Sequence, residues 1–363
     1  MPDTKNIVFT FISIVVVPLL FFALLELGLT VFGVGTSYDY FRKVDIDGET
    51  FYQDNADFAD QFYPKALDIN PRENTFSADR DPERVRVYIL GGSAALGFPH
   101  KNHGLDRLLE THLRAALPSR KVEVVNLAMT SINSHVVYEI ARSIPDGSAD
   151  FAVILMGNNE VVGPYGPGTF NQNFLDNITL IRGIQALKRT RLWQAFDGLI
   201  QRFRPTDAMQ ELEWEGMQMF TSNAVPHDDP RMASVYSHYE DNLTDIIEAL
   251  QDKGIHVLLS SVPVNLRHNA PFLSAHAPEM TAEQLGEWSE LSRNGAQSAD
   301  SGNWTDVIVA FEAALAIDPD YADTHFRLAT AYENLGQFDK AKAHYARALD
   351  LDALRFRADT RIN

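Results

Sequence analysis

Between residues 85 and 261 four short apolar runs alternate with stretches of helical periodicity, and that alternation restricts the possible folds more than any other feature. The runs are Val85–Leu90, Val122–Val125, Phe151–Met156 and His256–Ser261. Helical segments are expected over Leu105–Leu117 and Ser134–Ser143, in a helix-rich stretch from about Phe174 to Phe220, and over Ala233–Lys253. Strands joined by connections long enough to hold a helix return to the same end of the sheet and therefore run parallel. Phe151–Met156 is apolar throughout, as a strand buried on both faces is. The expectation is an α/β domain, a parallel sheet with helices on both faces.

Functional groups in such a sheet gather outside the carboxyl ends of the strands. Here the first strand runs into Gly91-Gly92-Ser93 and the second into Asn126-Leu127-Ala128-Met129-Thr130-Ser131. The third runs into Gly157-Asn158-Asn159-Glu160 and the fourth into Val262-Pro263-Val264-Asn265. The paired glycines permit a tight exit from the first strand. Ser93 then falls beside the free N–H groups of a helix start, where a hydroxyl can act as a nucleophile and the N–H groups can hold an oxyanion. The glycines fit neither a dinucleotide loop nor a phosphate loop.

These blocks resemble the SGNH, or GDSL-like, hydrolase family over roughly residues 85–270. Ser93 matches its nucleophile. Ala128 takes the place of its second-block glycine, whose backbone N–H faces the oxyanion. Gly157-Asn158-Asn159-Glu160 follows its Gly-x-Asn-Asp block, with Gly157 forming the turn and Asn159 as the side-chain donor. Two departures stand out: Gly92 replaces the usual Asp before the serine, and Ala128 adds a methyl group near the oxyanion. The resemblance implies a flavodoxin-like three-layer fold and ester hydrolysis or acyl transfer, with an ester or acylated carbohydrate as substrate. The acidic residues show no paired metal-ligand spacing, so no metal is expected, and no cofactor. The resemblance also implies a histidine base in a C-terminal Asp-x-x-His block, yet none of the eleven histidines, from His100 to His344, has an acidic residue three positions earlier.

Ile7–Leu25 is nineteen residues without a charge, and the apolar character continues past Glu26 to Val34. About twenty residues at roughly 1.5 Å rise cross a bilayer core. The reading is a single-pass signal anchor with its short tail in the cytoplasm and the soluble part periplasmic or extracellular. A cleaved signal peptide would have a shorter apolar region, and a buried core helix would be shorter overall. The net charge of −18 excludes nucleic acid as a partner, because phosphate binding rests on Lys and Arg. The absence of cysteine excludes disulfides and thiolate metal sites.

Near the end of the chain Phe311 and Tyr345 lie 34 residues apart, as do Ala314 and Ala348. This period, with Pro319 closing the first unit and Leu335-Gly336 inside the second, resembles the tetratricopeptide repeat. The resemblance spans residues 304–352, with a preceding helix around Trp288–Gln297, and implies a protein partner. Two units are too few to stand alone, so they are expected to pack on the neighbouring domain or on further sequence.

The expected division is an anchor over 1–34, an extended juxtamembrane segment over 35–84, the α/β domain over 85–275, helical repeats over 280–352 and a tail over 353–363. Because the tail stops before a further strand and histidine block, a truncated gene product is expected. His100 and His103 are substitute bases, Arg267 and His268 could meet an anionic substrate, and Met209, Met217, Met219 and Phe220 could form a lid. Two functions follow: an anchored serine esterase or acyltransferase, or a non-catalytic anchored binding protein.

Overall fold

A computed structural model describes residues 9–10, 12–170, 174–202 and 216–363. Strands β1 (Phe41–Ile46), β2 (Glu49–Asp54) and β3 (Thr75–Ser77) form a small antiparallel sheet in the order β1-β2-β3. Strands β4 (Arg84–Gly91), β5 (Lys121–Asn126), β6 (Phe151–Leu155) and β7 (His256–Leu259) form the parallel sheet, ordered β5-β4-β6-β7. The alternation of the sequence thus yields the parallel sheet that it predicts, and all four strand ends reach the same edge.

The described helices, in chain order, are α1 (Val17–Val31), α2 (Ser93–Leu96), α3 (Leu105–Ala116), α4 (Ser134–Ser143), α5 (Ile178–Lys188), α6 (Arg191–Gln201), α7 (Met232–Asp252), α8 (Ala282–Asp300), α9 (Trp304–Ile317), α10 (Ala322–Asn334) and α11 (Phe338–Asp350).

Side chains alternate across each strand, so β4 sends Tyr88 and Leu90 to one face and Ile89 to the other. The first face is the larger core. There α4 buries Val136, Val137 and Ile140, and α7 buries Ile246 and Leu250. On the second face α2 and α3 cover β4 and β5 with Ala95, Leu96, Leu105 and Leu109. That cover does not extend across the sheet. Phe151 of β6 and Leu258 of β7 remain exposed on that face, and Leu259, on the edge strand β7, is exposed on the other, so the helical layers do not reach fully across β7.

Residues 35–84 are more than a flanking strap. Tyr40, Phe58, Phe62, Tyr63 and Phe76 are buried in the same core as Tyr88 and Leu90. Tyr40 donates to Leu127 O at 3.2 Å, tying the segment to the loop after β5. The density of aromatics reflects this burial, since each large ring removes much apolar surface from water.

Ser13–Val31 is a continuous helical segment with mean hydropathy 2.5 and no buried residue. It is long and apolar enough to cross a membrane, and a signal sequence shares those properties. Its first turns are wound as a π-helix over Ile12–Val16, just before Pro18, which lacks an N–H and crowds the preceding turn.

At the other end of the chain, α8 pairs with α9 and α10 with α11. The contacts of small residues set the spacing: a Cβ on Gly295 would come within 2.9 Å of the Phe311 ring. Ala314 and Ala348, the pair 34 residues apart, are both buried. Val307, Phe311, Leu328, Ala329, Tyr332 and Tyr345 form the apolar centre of this unit. The unit is braced to the α/β domain: Arg267 pairs with Glu333 at 2.6 Å, and buried Asp352 accepts from the N–H groups of Phe272 and Leu273.

Candidate functional site

Strand β4 ends at Gly91 with φ +154, and only glycine fits there. A Cβ would stand 2.0 Å from Leu155 O of β6 and 2.8 Å from the Ala95 side chain. The chain then turns through Gly92 into the single turn α2, whose first residue is Ser93. Ser93 is half-buried, and among the described residues neither its hydroxyl nor its N–H has a hydrogen-bond partner.

The turn after β6 brings the third block alongside. Gly157 has φ +135, and a Cβ there would meet Ile362 at 2.8 Å and Val262 at 3.3 Å. Asn159 follows with φ 65, a conformation its short polar side chain tolerates. Its amide Nδ2 donates to Ile132 O at 3.3 Å, which leaves the second amide hydrogen for another acceptor. A methyl group built on Gly92 would lie 3.7 Å from the same nitrogen, so the Asn159 amide stands directly beside the turn that carries Ser93.

The block after β5 differs from expectation. Ala128 is fully buried against Ile89, Ala95 and Leu96, and its N–H donates to Asn126 Oδ1 at 3.0 Å. The Asn126 side chain also donates to Ala95 O and Asp106 Oδ1, each at 3.0 Å, and so pins this loop to α2 and α3. The Ala128 N–H is thus consumed within the loop. Thr130 and Ser131, two and three residues on, are the ones that reach the site. Ser131 adopts φ 62, and its N–H makes no hydrogen bond among the described residues. Its carbonyl accepts from Tyr63 Oη at 2.5 Å, so the segment over 35–84 fixes the loop from behind.

Ser93, Thr130, Ser131, Asn158 and Asn159 line a cavity of about 330 Å³ with an apolar wall that includes Phe98, Met217, Phe220 and Phe356. That size suits a small ligand, with polar groups on one side and apolar ones on the other. Three of the four strand ends contribute to it. The fourth is closed by the tail, where Val262 N donates to Asn363 Oδ1 at 2.7 Å and Asn363 Nδ2 returns a bond to Val262 O at 2.8 Å. Asn158 Oδ1 accepts from Ala358 N at 2.9 Å, which places Phe356 in the wall. The tail residues and Ser131 escaped the sequence reading. A left-handed conformation at a serine leaves no local mark, and the tail reaches the site only by folding back across the helical unit.

The remaining candidates disperse. Met217 and Phe220 join the wall, Met219 packs on the main core, and Met209 lies outside the described residues. Arg267 is paired with Glu333 and does not face the cavity. His100 and His103 sit near one another, with ring centroids 6.3 Å apart, away from the lining. Among the described lining residues there is no histidine or carboxylate. Nor do the described residues contain a cluster of three or more His, Asp or Glu that could hold a metal.

Beneath the site runs a buried polar chain. Glu160 receives the Ser134 N–H at 3.0 Å and the Ser134 hydroxyl at 2.7 Å, capping α4. Burial raises its carboxyl from 4.5 to about 7, against the lowering effect of those two bonds. Asn242 Nδ2 bonds both Ser134 Oγ at 3.0 Å and His135 Nδ1 at 3.1 Å, so that ring nitrogen accepts. Burial, and secondarily His238 and Arg182, lower His135 to about 3. It is held neutral inside the core and is not among the residues lining the cavity.

The helical unit matches the family described as Tetratricopeptide repeat over residues 298–358. Such repeats generally mediate protein–protein interaction. The match lies wholly outside the α/β domain. The comparison with curated proteins returns no match.

Proposed function

We propose that the chain is a membrane-anchored serine hydrolase or acyltransferase of the SGNH type, with a tetratricopeptide unit that binds a protein partner. One observation carries the reading: Ser93, Ser131 and Asn159 line one cavity, and among the described residues the Ser93 hydroxyl and the N–H groups of Ser93 and Ser131 have no hydrogen-bond partner. The apolar α1 supports an anchored location; the placement of the α/β domain outside the cytoplasm is part of the proposal. The cavity's mixed lining supports an ester or acylated carbohydrate as substrate.

In the proposed reaction Ser93 Oγ attacks the ester carbonyl carbon while its proton passes to a general base. The carbonyl oxygen becomes an oxyanion held by the Asn159 amide and the two backbone N–H groups. The C–O bond then breaks, the alcohol leaves with a proton, and water or an acceptor hydroxyl releases the acyl group from Ser93.

A second reading is favoured by the lining itself. With no titratable residue among the described lining, the site suits a binding pocket that performs no turnover. Without a base the serine hydroxyl is a weak nucleophile at neutral pH.

Labelling with a fluorophosphonate separates the two. The enzyme reading expects covalent modification of the full chain that Ser93→Ala abolishes. Equal labelling of wild type and Ser93→Ala, or none of either, overturns it in favour of the binding pocket.

A further inference from the structure

The first turn of α6 sits beside the last part of α1. The Glu26 carboxylate, on α1, receives the N–H groups of Arg191 and Leu192 at 2.7 and 2.8 Å, and so caps the first turn of α6. Gln194 closes the joint from the other side: its Oε1 accepts from Thr36 N at 2.7 Å and its Nε2 donates to Thr36 O at 3.1 Å. The chain leaving α1 is thereby clasped to α6 by four hydrogen bonds, two from each side chain. α1 and α6 also pack against each other.

This joint fixes depth as well as position. Glu26 precedes Val31, the end of α1, by five residues, or about 7.5 Å at the α-helical rise. The first turn of α6 is therefore level with the outer part of α1, not beyond it. A carboxylate and helix N–H groups at that level would each be costly alone in an apolar medium, and they satisfy one another.

The free side of α6 is apolar. Phe196 and Leu199 are 54 % and 52 % exposed, and Ile200 follows on the same face at i+4 from Phe196. On the preceding α5, Leu180 and Leu187 are 51 % and 48 % exposed. Trp193, half-buried, stands 6.3 Å from the Phe196 ring. At the corner between the two helices Lys188 donates to Gln61 O and Arg189 pairs with Asp39 and Glu139, so these cations hold the corner to the domain. An exposed apolar stripe with an indole beside it is the composition of a helix lying in a bilayer interface.

We infer that α6 lies in the membrane interface, with Phe196, Leu199 and Ile200 inserted among lipid, so that the α/β domain is held against the bilayer instead of swinging from a tether. The inference rests on the reading of α1 as a membrane span. The occupant of the α6 face is lipid because α6 packs against α1, whose exposed surface would itself be surrounded by lipid.

The chain has no cysteine, so single-cysteine variants of the full chain label cleanly. Leu24→Cys reports on α1, Phe196→Cys and Leu199→Cys on α6, and Val309→Cys, at an exposed site in the helical unit, is the aqueous reference. Each carries an environment-sensitive NBD probe in lipid nanodiscs, with doxyl-labelled phospholipid as the quencher. The inference expects blue-shifted emission and lipid quenching at 196 and 199 comparable to position 24, with neither at 309. Quenching at 24 with aqueous behaviour at 196 and 199 overturns the interfacial helix and leaves the anchor standing. A blue shift at 196 and 199 without lipid quenching means protein covers the face, and also overturns it. No lipid quenching at 24 overturns the membrane span and this inference together.

Discussion

Glu160 and Ser134 are joined by two hydrogen bonds, one from the backbone N–H at 3.0 Å and one from the hydroxyl at 2.7 Å, inside a fully buried pocket next to Asn159. The pair locks the turn after β6 to the start of α4. It also stores a pH dependence, because burial raises the Glu160 carboxyl to about 7.

A raised folded-state carboxyl stabilises the protein fully below the unfolded value near 4.5, and that contribution is lost as pH rises through about 7. Asp54, raised to about 7 by burial, acts in the same sense. Glu160→Gln keeps an acceptor for Ser134 and removes the charge. Its stability relative to wild type should therefore improve with pH between 4.5 and 7, by up to about 3 kcal/mol at full effect. Urea denaturation of both proteins across that range checks this, and a constant difference would refute the burial of an ionisable Glu160.

Gly91→Ala should be far more damaging than Gly147→Ala. Both have positive φ, but a Cβ at 147 meets nothing within 4 Å, whereas at 91 it strikes Leu155 O. Gly147→Ala costs about 1–2 kcal/mol for backbone strain alone. Gly91→Ala adds an overlap in the middle of the sheet, for a total of roughly 2–5 kcal/mol. Thermal melts of the two variants supply the comparison; equal losses would mean that β4 and β6 do not approach as described.

Asn159→Ala removes the proposed side-chain donor to the oxyanion. Loss of one such donor costs about 2.7–4 kcal/mol of transition-state stabilisation, a fall of roughly 10²–10³ in rate. Ester turnover or the rate of fluorophosphonate labelling reads the change. A rate within a factor of about two of wild type would exclude Asn159 from that role.

Tyr63→Phe tests whether the segment over 35–84 supports the site. It strips the Ser131 carbonyl of a buried partner at a cost of about 1–3 kcal/mol. Labelling of Ser93 should slow without being abolished, because Ser93 itself stays in place on β4. An unchanged labelling rate alongside the stability loss would detach Ser131 from the chemistry.

Glu26→Ala should free the first turn of α6. Hydrogen exchange at Arg191 and Leu192 is expected to accelerate by a factor of roughly 10, the loss of about 1–2 kcal/mol typical of a removed cap. Amides of α11, remote from the joint, serve as the reference and should not change.

Local pattern carried much of this molecule. The four strands, the helix at Ser134–Ser143 and the 34-residue spacing of Phe311 and Tyr345 are legible because burial on one face imposes a period on neighbouring residues. Gly91-Gly92-Ser93 and Asn159 are legible because tight turns demand particular residue types. What the sequence could not determine is which groups are left free once the chain closes. Ala128 lost its N–H to Asn126, and Ser131 gained the open one, through a side-chain bond that no period encodes. Phe356 reached the cavity wall, Glu26 reached α6, and Tyr63 reached Ser131 across separations of tens to hundreds of residues. Those pairings depend on the packing of whole elements, and a hydrogen bond between distant residues leaves no trace until the elements carrying them are in place.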